Sequence, residues 1–338
     1  MADAAAVAGT ALRPHVKAHK CGVIAQMLRR AGAIGASCAT LSEAEAMAGA
    51  GIEGLLITSP IVGRDGLDRL TRLLARGADV AVVADHPAPL AGLAAAAMAA
   101  GRILPVLVDF DVGQGRTGCV DGDAATALAQ SIDDCEGLRF GGVQAYWGHL
   151  QQVAPPAERR ARVLGQADRV RALVRALRDG GRAAEIVTGG GTGTAHLDFE
   201  LGLFTDVQPG SYLFLDSCYA ASLPGDGDLR FRPALFVSAV VVSANRPGTA
   251  IVDAGLKAFA TDSGRPEPVR GAPAGASYRF MGDEHGALDF DPGAGRLVPG
   301  DRVLFLASHC DPTVNLYGHF HVLRDDRPVD RWPIVGRY

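Results

Sequence analysis

Eight short apolar segments alternate with helical segments in the first part of the chain, and this alternation restricts the fold more than any other feature. Continuous apolar strands that alternate with helices indicate a parallel sheet that is covered on both faces. The strands begin near Leu12, Gly35, Gly54, Val80, Ile103, Phe140, Glu185 and Asp206. Eight such units in about 200 residues fit a (β/α)8 barrel near its lower size limit. A doubly wound open sheet needs no eighth unit, so we predict an α/β fold with a TIM-like barrel.

The pattern changes after the eighth strand. Three later segments are rich in β-branched and apolar residues, lie between Pro, Gly and Asp turns, and show little helical periodicity: 234–242, 248–252 and 302–306. They predict a smaller, mainly antiparallel β domain. We therefore expect a barrel domain over residues 9–213, a β domain over residues 214–338, and the end of an alanine-rich helix at residues 1–8.

The composition excludes several classes of protein. The 338 residues carry a formal net charge of −4, which leaves no electrostatic footprint for nucleic acid or for an anionic membrane. No apolar run reaches the ~20 residues that span a bilayer, and the N-terminus lacks the basic and apolar regions of a signal peptide. The six cysteines show no CxxC spacing, which suits reduced cytosolic thiols. We expect a cytoplasmic protein with a small-molecule substrate and with neither a nucleic-acid nor a membrane partner.

The segment after the first strand places a lysine between two histidines. If residues 12–20 are extended, alternate side chains share a face, so His15, Lys17 and His19 lie on one side. A lysine whose pKa is lowered by burial or by cationic neighbours is suited to Schiff-base chemistry. The structural alternative is a basic, solvated strand end that leads into a helix, and the segment alone does not decide between the two.

Two glycine-rich turns follow the last two strands of the predicted barrel, at residues 188–194 and 208–212. Functional residues of such barrels collect at the C-terminal ends of the strands. The backbone N–H groups of these turns, with the hydroxyls of Thr188 and Ser211, can hold a phosphate without a dedicated cation. Neither turn matches GxGxxG or the P-loop pattern, which favours a small phosphate ester over a nucleotide. Either turn alone is more often a tight turn with positive φ, but their succession favours a phosphate site.

Two further motifs could complete a site. Arg116 follows a glycine-rich bend and could pair with a phenolate or carboxylate, or form a surface ion pair. His309 and Asp311 are two residues apart, so in an extended segment they share a face and could ligate one cation through N and O. Two protein ligands leave open positions for water or substrate, as in catalytic metal sites. An isolated His-x-Asp pair is more often a hydrogen-bonded turn.

Five segments together resemble the D-threonine aldolase/D-serine dehydratase family, and the resemblance runs nearly end to end. They are RPHVKAHK at 13–20, TGGGTGT at 188–194, QPGSY at 208–212, DAGLK at 253–257 and HCDPTVNL at 309–316. Members of this family are metal-activated pyridoxal-phosphate enzymes of fold type III, with an alanine-racemase-type barrel and a β domain. The resemblance also implies a homodimer, and it implies that residues 1–8 end a helix whose preceding strand is absent.

The resemblance implies three groups of site residues. Those around the cofactor ring are Lys17 as the Schiff base, Arg116 near the phenolic oxygen, Tyr146 beside the ring, and Gln208 near the ring nitrogen, where alanine racemases have arginine. Those around the phosphate are Thr188, Gly189, Gly210 and Ser211. The metal ligands are His309 and Asp311, whose hard oxygen favours Mn²⁺ or Mg²⁺, with Zn²⁺ or Co²⁺ as alternatives.

The His-x-Asp pair resembles the aldolase branch of the family, because the dehydratase branch carries His-x-Cys there. The resemblance therefore implies reversible cleavage of D-threonine or D-3-hydroxyaspartate, both D-β-hydroxy-α-amino acids, to glycine and an aldehyde. Candidates for the catalytic base are a metal-held hydroxide and the histidines His15, His19 and His149. The alternatives are a D-serine or D-3-hydroxyaspartate dehydratase, an amino-acid racemase and a non-catalytic pyridoxal-phosphate carrier. A β domain with a His-x-Asp pair argues for an enzyme.

Overall fold

Short parallel strands form the first part of the computed structural model, which describes residues 1–223 and 229–337. They are β1 (Ala11–Leu12), β2 (Ala36–Cys38), β3 (Leu55–Ile57), β4 (Val80–Ala84), β5 (Leu104–Asp109), β6 (Leu138–Ala145), β7 (Ile186–Gly189) and β8 (Asp206–Val207). The strands are ordered β1-β8-β7-β6-β5-β4-β3-β2 in one sheet. A parallel bridge between His15 and Ser37 joins the chain after β1 to β2, so the sheet curls until its two ends meet. The predicted eight-stranded α/β barrel is confirmed.

One helix precedes the first strand and the others separate the strands, and most of them bury several apolar side chains. They are α1 (Ala2–Ala8), α2 (Gly22–Arg30), α3 (Leu41–Gly49), α4 (Arg64–Ala75), α5 (Leu90–Ala99), α6 (Gly122–Asp133), α7 (Pro156–Asp179) and α8 (Ala195–Leu201). In α4 the buried residues are Leu70, Leu73 and Leu74, the spacing of a single helical face. No helix in residues 1–223 and 229–337 combines the length and the apolar character needed to cross a membrane.

The barrel strands are buried on both faces, as a parallel sheet under helices requires. Leu55, Leu56 and Ile57 of β3 are each 1% exposed although their side chains alternate in direction. Each such aliphatic side chain contributes roughly 1.5–3 kcal/mol through its removal from water. This double burial explains why the strands are short apolar runs and lack an alternating polar pattern.

Strand β6 contains a bulge at Gly141 and Gly142. One extra residue enters β6 between the positions that face Val106 and Leu107 of β5. Gly142 has φ +139°, and a Cβ on it would collide with the carbonyl of Ile186 on β7. Only glycine combines this backbone conformation with such a close approach of the neighbouring strand.

We expect Gly142→Ala to lower the free energy of unfolding by roughly 3 kcal/mol, because the methyl group would force β6 and β7 apart. Urea unfolding followed by circular dichroism measures the change. The matched control is Gly165→Ala in α7, where a Cβ would meet nothing within 4 Å. That control should be neutral or stabilising by up to ~1 kcal/mol, and equal destabilisation of both variants would contradict this account.

The second unit is built on an antiparallel sheet. Its strands are β9 (Val237–Arg246), β10 (Thr249–Val252), β11 (Glu267–Arg270), β12 (Ser277–Phe280), β13 (Gly286–Asp289) and β14 (Arg302–Leu306), in the order β11-β14-β9-β10-β13-β12. Two short helices, α9 (Ser217–Ser222) and α10 (Cys310–Val314), belong to the same unit. Phe259, Tyr278 and Phe305 pack edge to face in its core, with ring centroids 5.4–5.7 Å apart. The predicted antiparallel β domain is confirmed.

The last two strands, β15 (His319–Arg324) and β16 (Arg327–Pro333), pair with each other in a separate sheet. Residues 1–210, Leu229 and 321–337 form one compact unit, and residues 211–223 and 230–320 form the other. Residues 321–337 thus lie with the barrel, whereas the sequence pattern grouped them with the β domain. The backbone bond from Val335 N to Lys20 O, 2.7 Å long, is one contact that holds them there.

Candidate active site

The lysine segment forms a tight turn. Strand β1 ends at Leu12, and Val16–Ala18 form one turn of 3-10 helix with His15 at its N-cap. The Nδ1 atom of His15 accepts a hydrogen bond from the N–H of Lys17 at 3.3 Å. This local bond satisfies a backbone donor that a strand would have paired with its neighbour. The predicted extended segment, with His15, Lys17 and His19 on one face, is therefore wrong.

His15 is buried, and both of its ring nitrogens have partners. Burial lowers the pKa of His15 well below its usual value, and the positive charges of Lys17 and Arg116 lower it further. The ring is therefore neutral at neutral pH, with Nδ1 as the acceptor and the proton on Nε2. Nε2 lies 3.3 Å from Thr58 Oγ1, and the Thr58 hydroxyl lies 3.2 Å from the carbonyl of Cys38. His15 thus anchors the lysine turn to the ends of β2 and β3.

His19 closes the other side of the turn. It is buried, and its Nδ1 accepts the N–H of Cys21 at 3.1 Å. The N–H groups of His19 and Lys20 both donate to the carbonyl of Val16, at 2.9 and 2.7 Å. Both histidines therefore shape the turn that carries Lys17, and their roles as catalytic bases stay predictions.

The turn after β8 packs against the lysine turn. The N–H of His15 donates to the carbonyl of Pro209 at 3.1 Å. A Cβ on Gly210 would lie 3.2 Å from the His15 carbonyl oxygen and 3.3 Å from the Cβ of Ala18. Glycine at this position lets the two turns approach closely. The predicted phosphate turn is thereby brought beside the turn of Lys17.

A buried network of hydrogen bonds crosses the ends of β7, β8 and β1. Thr188 Oγ1 donates to Asp206 Oδ1 at 2.7 Å and accepts from Gln208 Nε2 at 3.0 Å. Arg13 Nε donates to the same carboxylate oxygen at 3.2 Å, and its Nη1 donates to the carbonyl of Gly54. A buried ion pair requires such a complete set of partners. Sequence reasoning missed Arg13 and Asp206, although Arg13 directly follows a strand end.

A second buried network of hydrogen bonds crosses the ends of β5 and β6. Gln144 Nε2 donates to Asp109 Oδ1 at 2.9 Å and to the carbonyl of Thr58 at 3.0 Å. Thr117 Oγ1 donates to the other oxygen of Asp109 at 2.7 Å, and burial raises the pKa of Asp109. Gln208 Nε2 also lies 3.4 Å from Gln144 Oε1. This contact joins the two hydrogen-bond networks and sets the orientation of the Gln208 amide. Sequence reasoning missed Gln144, which its strand-end position could have revealed.

The glycine-rich turn at 188–194 is held by Asp198 of α8. One oxygen of this carboxylate accepts from Thr194 Oγ1 at 2.7 Å and from the N–H of Gly191 at 3.2 Å. The other accepts from Trp147 Nε1 at 3.2 Å. Burial raises the pKa of Asp198 to about 7, although these three donors oppose the shift. No sequence motif marked this residue.

Arg116 and Tyr146, which the sequence predicted separately, lie together. The guanidinium carbon of Arg116 is 5.6 Å from the centroid of the Tyr146 ring, which is a cation–π distance. The bend before Arg116 is closed by Asp111, whose Oδ1 accepts the N–H groups of residues 113–115. The exposed guanidinium is thus held at the C-terminal ends of β5 and β6.

The second unit holds three further predicted site residues. Ser211 is buried at the first position of a 3-10 turn. His309 is the N-cap of α10, and Asp311 lies in the first turn of that helix. The prediction of a pair on one extended segment is therefore wrong. The reason is Asp216, a buried carboxylate that sequence reasoning missed, whose Oδ2 accepts the N–H of Cys310 at 2.8 Å and so helps to start the helix.

His309 has an acidic partner. Its Nδ1 lies 2.6 Å from Asp262 Oδ2, which leaves Nε2 as the ring nitrogen for a metal ion. A carboxylate on the far nitrogen is the usual support of a metal-binding histidine. One imidazole nitrogen and one carboxylate oxygen, from Asp311, suit a divalent cation. Within the described part of the chain, no group of three or more His, Cys, Asp or Glu side chains is placed to hold a metal, so ligation by His309 and Asp311 stays a prediction.

Known proteins resemble this chain over nearly its whole length. The family described as "Alanine racemase, N-terminal domain" matches residues 1–218, and "Putative serine dehydratase domain" matches residues 234–323. The D-threonine aldolase of Arthrobacter sp is 42% identical over 97% of this chain and 85% of its own length. The 3-hydroxy-D-aspartate aldolase of Paracoccus denitrificans (strain Pd 1222) is 35% identical over 100% of this chain and 87% of its own length. This chain belongs to the D-threonine aldolase/D-serine dehydratase family.

Solved structures of this family share the fold. The D-threonine aldolase from Filomicrobium marinum superposes with a TM-score of 0.94 at 39% identity, over 99% of this chain and 90% of that one. The D-threo-3-hydroxyaspartate dehydratase from Delftia sp. HT23 has a TM-score of 0.84 at 28% identity, over 98% of this chain and 92% of that one. The predicted family is confirmed by these relatives.

Membership of this fold-type III family implies pyridoxal phosphate as the cofactor, and the barrel site of this aldolase-family chain fits it. Lys17 lies in a turn that packs against the glycine turn at Gly210, which is the turn predicted to hold the phosphate. Arg116 adds a cation beside the aromatic ring of Tyr146. The amide of Gln208 is held in one orientation between these turns and β6.

The raised pKa of Asp198 predicts a pH dependence of stability. The ordinary pKa of an aspartate is about 4, so the folded chain keeps the proton up to about pH 7 while the unfolded chain loses it. Stability therefore falls as the pH rises from about 4 to about 7, by up to ~4 kcal/mol. We expect Asp198→Asn to remove this decline, measured as the free energy of urea unfolding at several pH values.

A variant on the same helix serves as the control. Arg160 lowers the pKa of the exposed Glu200, so the contribution of Glu200 is present at neutral pH and is lost as the pH falls. Glu200→Gln should therefore change the slope weakly and in the opposite sense. Identical pH profiles for wild type and Asp198→Asn would contradict the shifted ionisation of Asp198.

Proposed function

We propose that this protein is a pyridoxal-phosphate-dependent, metal-assisted aldolase that cleaves D-threonine or D-3-hydroxyaspartate to glycine and an aldehyde. The observation that carries the proposal is the contact of the lysine turn with the Gly210 turn, in a chain 42% identical to a D-threonine aldolase. The prediction of an aldolase, a carbon–carbon lyase, is confirmed by the relatives named D-threonine aldolase and 3-hydroxy-D-aspartate aldolase. The choice between the two substrates belongs to the proposal.

Lys17 would hold the cofactor. The sequence contains three lysines, which are Lys17, Lys20 and Lys257. Lys20 is bound in a buried ion pair with Glu43, and Lys257 lies on the surface with an acidic partner. Lys17 lies in the 3-10 turn that packs against the predicted phosphate turn, which supports its assignment.

Pyridoxal phosphate, when bound, supplies a conjugated ring that takes up the electron pair of the broken Cα–Cβ bond. The residues that would hold its phosphate are Thr188, Gly189, Gly210 and Ser211. Arg116, with its guanidinium against Tyr146, would hold the phenolic oxygen. Gln208 would face the ring nitrogen with a neutral amide, so it would lack the positive charge of an arginine at that position. This difference argues against a racemase.

His309 and Asp311 would hold a divalent cation, with Mn²⁺ or Mg²⁺ favoured by the carboxylate ligand. Such a cation supplies Lewis acidity to the β-hydroxyl group. The short contact with Asp262 supports this assignment because it orients the imidazole. The proposal also includes a homodimeric assembly and a cytoplasmic location.

The proton of the β-hydroxyl group needs an acceptor, and three histidines are among the candidates for that role. His15 uses both ring nitrogens to hold the lysine turn, which makes it the weaker candidate. His19 and His149 are the other histidines predicted for this role. Burial lowers the pKa of His149, which keeps its imidazole neutral and able to accept a proton.

A dehydratase is the second candidate function. The "Putative serine dehydratase domain" matches residues 234–323, and a D-threo-3-hydroxyaspartate dehydratase is 28% identical over 96% of this chain. The aldolase relatives have higher identity and so favour carbon–carbon cleavage. The two functions differ in product, since a dehydratase forms an oxo acid and ammonia and no glycine.

The products of D-threonine and D-3-hydroxyaspartate provide the test. We expect the protein with pyridoxal phosphate to release glycine and an aldehyde from at least one of them. EDTA should abolish this activity and added Mn²⁺ should restore it, because a cation held by His309 and Asp311 would supply Lewis acidity to the hydroxyl group. Ammonia with an oxo acid and without glycine would favour the dehydratase, and activity indifferent to EDTA would refute the metal role of His309 and Asp311.

We expect Lys17→Ala to lose the visible absorbance band of lysine-bound pyridoxal phosphate, together with at least ~10³-fold of the aldolase rate, because the covalent anchor is gone. The matched control is Lys257→Ala, which removes an exposed lysine and should keep both the band and the rate. A Lys17→Ala protein that retains the band would refute the assignment.

A further inference from the structure

The residue that ends the lysine turn has an unusual backbone conformation. Lys20 has φ +48° although it is not glycine, and it is only 5% exposed. Such a conformation costs free energy and persists where the surroundings hold the residue from several directions. The N–H of Lys20 donates to Val16 O at 2.7 Å, and its carbonyl accepts the N–H of Val335 at 2.7 Å. The backbone N–H and C=O groups of Lys20 are thus both hydrogen-bonded.

The side chain of Lys20 also forms an ion pair and a hydrogen bond. Its Nζ lies 2.6 Å from Glu43 Oε1, and both side chains are buried. Nζ also donates to the carbonyl of Gly336 at 3.0 Å. Glu43 is held in turn, because its Oε2 accepts the N–H of Ala39 at 2.6 Å and its own N–H donates to Thr40 Oγ1 at 3.2 Å. The ion pair therefore joins the lysine turn to the first turn of α3 and to residue 336.

The chain at residues 335–336 fits tightly against α3. Gly336 has φ +64°, and a Cβ on it would lie 3.0 Å from both the Cα of Glu43 and the carbonyl oxygen of Ser42. Glycine is required there by both the backbone conformation and the space. Residues 335–336, more than three hundred positions away in sequence, thus form one wall of the Lys20 pocket.

We propose that Lys20, Glu43 and residues 335–336 position the turn that carries Lys17, so that this distant segment supports the cofactor site. The inference rests on the proposed function, since it concerns the placement of Lys17 beside the Gly210 turn. None of these residues is assigned a contact with substrate or cofactor, so all are positioning residues. A turn clamped at Lys20 holds Lys17 at a constant distance from the phosphate cradle, which a covalent cofactor site needs.

The first test removes residues 335–336, which contact Lys20 and Glu43. In the full-length protein, pyridoxal phosphate is titrated and the visible band of the lysine-bound cofactor is recorded at several pH values. Deletion of residues 335–338 should weaken cofactor binding by about tenfold or more and shift the pH midpoint of the band. Hydrogen exchange at the amides of residues 16–20 should become faster in the cofactor-free protein. Deletion of Tyr338 alone leaves the peptide carbonyl of Gly336 in place and is the matched control, which should behave as wild type.

The second test leaves the chain complete. Gly336→Ala should push residue 336 away from Glu43 and reproduce the effect of the deletion more weakly. Glu43→Gln leaves the charge of Lys20 uncompensated near Lys17, so it should lower the pH midpoint of the cofactor band. Glu45→Gln, which removes a half-exposed carboxylate on the same helix, is its control and should leave the midpoint unchanged.

The outcomes separate the two proposals. A wild-type protein that forms no visible band with pyridoxal phosphate would overturn the proposed function, and this inference with it. A wild-type band that Gly336→Ala and Glu43→Gln leave unchanged, in affinity and in pH midpoint, would overturn the inference alone. If the deletion of residues 335–338 prevents folding, the two point variants decide.

Discussion

A buried guanidinium, that of Arg13, ties together the strand ends on which the site is built. It binds the carboxylate of Asp206 and the carbonyl of Gly54, and the Arg13 carbonyl accepts the hydroxyl of Ser37. Gly35 leaves room for it, since a Cβ there would lie 2.9 Å from Nη1. A buried charge is tolerated only when its partners are complete. The end of β1 is therefore held in one position, and this determines where the lysine turn that follows it begins.

Three buried titratable side chains of the barrel have pKa values that are shifted toward the neutral form. Burial lowers the pKa of His15 and raises the pKa values of Asp109 and Asp198. The charges of Arg13 and Asp206 compensate each other within their buried ion pair. The proposed cofactor is anionic, and at its proposed site it would meet positive charge from Arg116. Neutral, oriented dipoles and a few cations are a suitable surface for holding a phosphate ester in a defined pose.

Much of the fold followed from local patterns. All eight predicted barrel strands start within two residues of observed ones, because double burial produces apolar runs that are visible in the sequence. The site was predicted less completely. The residues that hold it were missed where the contact spans a long separation, as between Arg13 and Asp206 or between Lys20 and Gly336, 193 and 316 positions apart. Assuming an extended backbone also failed at His309, because Asp216, 94 positions before Cys310, helps to start a helix there.

The sequence by itself determined the order of strands and helices, the antiparallel second unit, and a set of three lysines from which a Schiff-base residue could come. These properties depend on residues within a few positions of one another. Only the tertiary structure decided the shape of the lysine turn, the neutral state of His15 and the orientation of Gln208. Protonation and hydrogen-bond partners depend on burial and on neighbours from other strands, and no local pattern of side chains encodes them.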